Sequence, residues 1–241
     1  MPTDRKPATS VWDRPRPRPR EQLTREQIVA AAIELLDAEG VEALSMRKLG
    51  TRLEAAATSL YRHVANKDEL IELVVDDVYG ELDVPSAAGR DQWRATVTRT
   101  AADLRAMVLR HPWIAPELSQ VGLVHIGPNS LRMASGLLAR FEAAGFPADE
   151  TERALGTLMA YVVGIATSEA AYLSLIARSG RTEQEWVAEV RPAFDEAART
   201  LPLLREASSA RQDAHPRQIR DDDFAYGLER VLDGLAARLE A

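Results

Sequence analysis

The sequence predicts an all-α chain: a small N-terminal group of short helices, then a larger helical C-terminal part. Three observations carry this. Apolar residues recur at spacings of three and four through almost every segment. Ser, Thr and Asn stand where those segments begin, and Gly or Pro where they end. No stretch alternates as a strand would, and no fixed-period repeat appears. With 241 residues, 46% of them apolar, the chain can bury a substantial core in one large domain or two smaller ones.

Residues 1–21 stand apart. Arg and Pro alternate from Arg14 to Arg20, which no helix survives. An extended, disordered basic arm is expected, either solvated or reaching toward phosphates. It contains no apolar run of the kind a secretory signal needs.

The first helix starts at Thr24, with Gln27 placed for a capping box and Leu23 and Ile28 flanking it as a staple. Its apolar face is Ile28, Ala31, Ala32, Leu35 and Leu36, and Gly40 ends it. Ser45 caps a second, short helix that buries Met46, Leu49 and Leu53. A third covers about 57–63 and buries Leu60 and Val64. Asn66 caps a fourth, with Glu69 reaching back, and it runs to about Leu82. Residues 83–90 hold Pro85, Ser86 and Gly89 and read as a break.

The domain boundaries therefore fall at 22–82 and 83–241. In the second part, 91–110 is amphipathic and stops at Pro112. A short segment follows at 113–119, then a helix at 128–144 ended by Gly145 and Pro147. Asp149 is expected to cap a long helix to about Arg178. Thr182 caps the next, to about Thr200, with Pro192 kinking it. Residues 203–221 read as a polar loop, and 223–239 as the last helix. The stretch 154–177 carries one charge, Glu169, but also two Gly and several Ser and Thr. That fits a buried bundle helix rather than a membrane span.

The charge is uneven. The chain's net charge is −7, yet between 45 and 67 Arg47, Lys48, Arg52, Arg62 and Lys67 face a single acid, Glu54. This is the asymmetry of one nucleic-acid-binding end on an acidic body. Three short helices with a tight turn between the second and third form a helix-turn-helix, whose last helix fits the major groove. The absence of cysteine removes disulfides and thiolate sites and fits a reducing cytoplasm. The four histidines, His63, His111, His125 and His215, stand near no nucleophile elbow, P-loop or HExxH helix, so no enzyme, metal or cofactor is expected.

The run from Leu23 to Leu70, with SLYRHV at 59–64 and NKDEL at 66–70, resembles the DNA-binding domain of TetR-family repressors. The resemblance implies that Arg47, Thr58, Ser59, Tyr61 and His63 contact bases or phosphates and that Lys67 contacts a phosphate. Lys48 and Arg62 join them as neighbouring basic residues of the same unit. Two departures stand out. The turn position where relatives carry Gly is Glu54, and Ala57 lacks a polar base-reader found in some relatives.

The motifs HPW at 111–113, GFPADETERALGTLMAYVVGI at 145–165 and FAYGLERVLDGLAARL at 224–239 resemble the C-terminal domain of the subgroup that includes the tetracycline repressor. This implies an effector-binding and dimerisation domain. The expected function is a ligand-responsive repressor that binds a pseudo-palindromic double-stranded DNA operator as a homodimer through helices 149–178 and 223–239, with no membrane contact. Trp113, His125, Leu137, Phe141, Met159, Tyr161, Val162 and Tyr172 are candidates for the lining of a pocket for an unknown small molecule. The segment VHIG at 124–127 resembles one that offers a histidine to drug-bound magnesium, but spacing differs and Glu169 is displaced by one position. Metal and tetracycline binding are therefore not carried over.

Overall fold

A computed structural model describes residues 23–83, 92–118, 127–209, 211 and 214–239. The Arg/Pro arm, all but the first residue of the expected break at 83–90, and His125 lie outside the described residues. No strand occurs among those described.

The head consists of α1 (Arg25–Glu39), α2 (Met46–Arg52), α3 (Ala57–Leu60) and α4 (Lys67–Tyr79). Each start follows from local chemistry. Thr24 and Gln27 form the capping box, the Gln27 N–H donating to Thr24 Oγ1 and the Thr24 N–H to Gln27 Oε1. Ser45 accepts from the Lys48 N–H, and Asn66 from the Glu69 N–H. Such caps stabilise a helix by about 1 kcal/mol each. The helices close around Ile28, Leu35, Leu49, Leu60, Leu70 and Val74, all fully buried. Each such side chain contributes about 1.5–3 kcal/mol.

Three local expectations are corrected here. Leu53 is only partly buried, because it terminates α2 and lies at the turn. The third helix stops at Leu60, and Tyr61, Arg62 and His63 follow in a turn. The fourth ends at Tyr79, with Gly80 as its cap, and Leu82 is buried beyond it.

The C-terminal part is a helical bundle around α8 (Ala148–Ser179), a 32-residue helix packed against α5 (Trp93–Arg110), α7 (Pro128–Ala144) and α11 (Pro216–Ala236). A 3-10 turn at Pro112–Ile114 and the short α6 (Ala115–Leu118) follow α5. Gly145 ends α7 in the left-handed conformation, and Phe146 meets Trp93 and Phe141 edge-to-face in an aromatic cluster beside it.

Further corrections fall in this part. The N-cap of α8 is Pro147, and Asp149 lies in the first turn, where its charge meets the helix dipole instead of a cap hydrogen bond. Helix α9 (Glu183–Ala197) runs through Pro192 and ends before Thr200. The expected polar loop contains α10 (Pro202–Ser209), and α11 begins at Pro216 instead of Asp223, with Pro in the favoured first position.

The two parts are joined by polar clasps. Asp76 on α4 accepts from the backbone N–H groups of Asn129 (2.9 Å) and Ser130 (3.0 Å), capping α7 from another helix. The Asn129 side chain donates back to the Asp76 carbonyl. A side chain at Gly127 would overlap the Asp76 carboxylate, so this approach needs glycine.

Candidate nucleic-acid interface and effector cavity

The reading face is built by α2, the turn and α3. Gly50 is buried where the two helices meet, and a methyl there would lie 2.8 Å from the Ala55 carbonyl. Sequence reasoning passed over Gly50. The available signal was a glycine inside a short helix, which commonly marks close approach. Glu54 occupies the turn with φ of 49°, the one non-glycine residue with positive φ among those described. The departure from glycine is thus a strained backbone position, costing about 1–2 kcal/mol.

On this face Arg47, Thr58 and Arg62 are exposed, and Tyr61 is 52% exposed. Ser59, Arg62 and His63 lie along a groove shared with Gln27 and Glu34 of α1. Lys67 is exposed and donates to the Val41 carbonyl at 3.3 Å, which holds it at the start of α4. Lys48 differs: it is ion-paired with Glu39. Arg52 is likewise paired with Glu34 at 2.6 Å. Arg47 and Arg62 stand open to solvent on this face, outside the ion pairs that engage Lys48 and Arg52.

In the C-terminal part a cavity of about 980 Å³ lies between α8, α9 and α11. Its apolar wall includes Ile165, Val187, Ala188 and Ile219, and its polar wall Tyr172, Gln184, Arg191 and His215. Its floor is an ion network. The Glu169 carboxylate, 7% exposed, receives two hydrogen bonds from Arg105 and one from Arg220, all at 2.7 Å. Arg105 also donates to Asp221, and Arg220 pairs with Glu183 of α9. Burial alone would raise the Glu169 carboxyl, but the two arginines outweigh it and hold it below its ordinary range.

Among the residues expected to line a pocket, Tyr172 lies on this cavity. The others among the described residues are elsewhere. Trp113, Leu137, Phe141 and Val162 are buried in the core, and Met159 packs partly buried against it. The Trp113 indole N–H donates to Asp37 at 2.7 Å. Tyr161 stacks on Phe224 instead of facing the cavity. Phe224, Leu228 and Leu232 lie on α11, which overlaps the segment 223–239 expected to form the dimer interface, and are buried within the chain. A periodic apolar stripe shows that a face is covered, not which chain covers it.

Residues 28–74 match the family described as bacterial regulatory proteins, tetR family, and residues 84–239 match the tetracyclin repressor-like C-terminal domain. An HTH-type transcriptional regulator of Saccharopolyspora erythraea is 41% identical over 165 residues, covering 68% of this chain and 69% of its own. The HTH-type transcriptional repressor DrrR1 of Streptomyces coeruleorubidus is 33% identical over 231 residues, covering 93% and 83%. Among solved structures, ActR of Streptomyces coelicolor in complex with actinorhodin matches with a TM-score of 0.73 and 28% identity, covering 90% of this chain and 97% of its own. With both domains matched in order on an all-helical fold, the chain belongs to the TetR family of DNA-binding transcriptional regulators.

Proposed function

We propose that this chain is a ligand-responsive repressor that binds a pseudo-palindromic operator as a homodimer and is released by a small-molecule effector. The observation that carries it is the coexistence of an exposed helix-turn-helix face with a separate cavity of about 980 Å³ in the same chain. A regulator answering only to a protein partner needs no such space. The size suits a drug-sized ligand, and the similar structure of ActR holds actinorhodin.

Arg47 and Arg62 read or neutralise the duplex, Tyr61, Thr58 and Ser59 face the groove, and Lys67 meets a phosphate at the start of α4. Lys48 and His63 support this face from its edges. Base readout by Arg47 follows from its planar fork, which matches guanine O6 and N7. Tyr172 is the expected pocket residue placed to touch the effector in the cavity between α8, α9 and α11.

A dimer follows from the outer face of α8. This helix is long and apolar enough to cross a membrane, yet only 28% of its most apolar window is buried within the chain. Gly156 and Gly164 sit on α8 with open space beyond them, as does Gly234 on α11. A second copy, not a lipid, is the cover this reading assigns. Two reading heads then meet successive major grooves about 34–36 Å apart. The effector shifts the population away from that spacing. Such a regulator works beside the chromosome, in the cytoplasm.

The test is selection from a random duplex library by the purified protein. An enriched pseudo-palindrome, weakened by Arg47→Ala and Tyr61→Phe, supports a dimeric sequence reader. Salt-sensitive binding with no sequence preference would overturn it.

A further inference from the structure

His111 lies at the junction of the two parts, where α5 ends, and is 7% exposed. Both of its ring nitrogens face carboxylates from different elements. Nδ1 is 2.7 Å from Asp37 Oδ1 on α1, the first helix of the head. Nε2 is 3.0 Å from Glu81 Oε1, just beyond α4. The charged groups around it are Asp37 from α1, Glu81 with Asp77 one turn earlier from the end of α4, and Arg110 from α5. Arg110 donates to the other oxygen of Glu81 at 2.5 Å, and the Trp113 indole shares Asp37.

A neutral imidazole carries one N–H and so can donate to only one carboxylate. Its other nitrogen would then set a lone pair against a second carboxylate. Holding both contacts takes the imidazolium, with one proton directed at each acid. The surroundings agree: burial would raise the Glu81 carboxyl, but Arg110 and His111 together hold it below its ordinary range. The ring backbone is fixed as well. The His111 N–H donates to Met107 and its carbonyl accepts from Ile114, which fixes the point at the end of α5 from which the ring projects.

We propose that His111 is a positioning residue for operator binding, a proton-dependent strut that ties α1 of the reading head to the end of α4. With the proton in place the head is held at one angle to the C-terminal domain. Loss of the proton breaks one of the two contacts and lets the angle vary, so fewer molecules present both heads at the operator spacing. The inference rests on the operator-binding reading above.

The experiment measures the affinity of the full-length protein for its selected duplex from about pH 6 to about pH 8. Affinity is expected to fall on raising the pH, by about tenfold, a typical coupling between sites. His111→Gln should bind with the weaker affinity at every pH and lose most of the slope, and the same loss is expected when both proteins are compared in a His63→Gln background, which removes the histidine on the DNA side. Should His111→Gln fail to fold, nitrogen-15 side-chain spectra of the wild type decide the matter. Two protonated ring nitrogens on His111 under tight-binding conditions uphold the strut, and one overturns it. An unchanged slope in folded His111→Gln also overturns it. Absence of any sequence-specific binding at all pH values would instead defeat the operator reading itself.

Discussion

The Tyr161 hydroxyl on α8 donates to the Phe224 backbone carbonyl on α11 at 2.8 Å, while the two rings stack with centroids 6.0 Å apart. The contact stitches together two helices of the C-terminal bundle. It is possible because Gly227 leaves room: a methyl there would overlap the Tyr161 hydroxyl and come within 2.7 Å of its ring. Gly227→Ala should therefore displace the ring and destabilise the protein by about 1–3 kcal/mol, the usual cost of overpacking. Tyr161→Phe should cost only about 1 kcal/mol. Denaturant melts of both variants and the double variant would show non-additive losses, because the two changes act on one contact.

Replacing Glu54 with Gly should stabilise the head. The position has φ of 49°, where a side chain is strained and glycine is not. The gain expected is about 1 kcal/mol after glycine's own entropy cost, or roughly 2–4 °C in thermal midpoint for a chain of this size. Calorimetry checks this, and Glu54→Ala, which keeps the strain, should show no gain.

Acid should loosen the C-terminal bundle through Glu169. Its carboxyl is depressed in the folded chain, so its stabilisation is present above the unfolded value, about 4.3. That contribution is lost as the pH falls toward the folded value. Glu169→Gln leaves Arg105 with Asp221 and Arg220 with Glu183 but removes the acid they share, and should cost about 1.5–3 kcal/mol near neutrality. The gap between wild type and variant should narrow below about pH 4.3, as urea midpoints measured across the pH range would reveal.

The outer face of α8 offers a test of assembly that spares the fold. Gly164 has nothing within contact distance of an added side chain in the single chain. Gly164→Glu should leave helicity intact but place a charge in the dimer face. Light scattering should then report a monomer, with operator affinity reduced at least tenfold, because each head must bind alone. A dimer of unchanged affinity would mean that this face is not the interface.

How much of this was legible in the sequence depended on distance along the chain. The caps at Thr24, Ser45 and Asn66 are contacts over three residues, and the sequence read them correctly. The strained turn at Glu54 was marked only by the resemblance, in which relatives carry Gly at that position. Helix α10 was missed because its eight residues have few apolar neighbours to make a period visible. Contacts such as Asp37 with His111, 74 residues apart, leave no local trace. The pocket residues were misplaced for a related reason: Leu137, Phe141 and Val162 have the apolar character of either a wall or a core, and only packing distinguishes them.

Helix α9 walls the cavity without burying any of its own residues. It is held by the Thr182 capping box, by Arg220 on Glu183, and by partial contacts with α8 and α11, while Val190 and Phe194 stay exposed. A segment with so little buried area detaches at a small fraction of the cost of global unfolding. Hydrogen exchange should be fastest there among the long helices. The space it encloses is then not a fixed mould. What a guest must match is the work of parting one helix from the bundle, so bulky molecules are penalised by a shallow energy slope instead of a hard steric limit. Recognition of that kind admits a range of sizes and discriminates among them by degree.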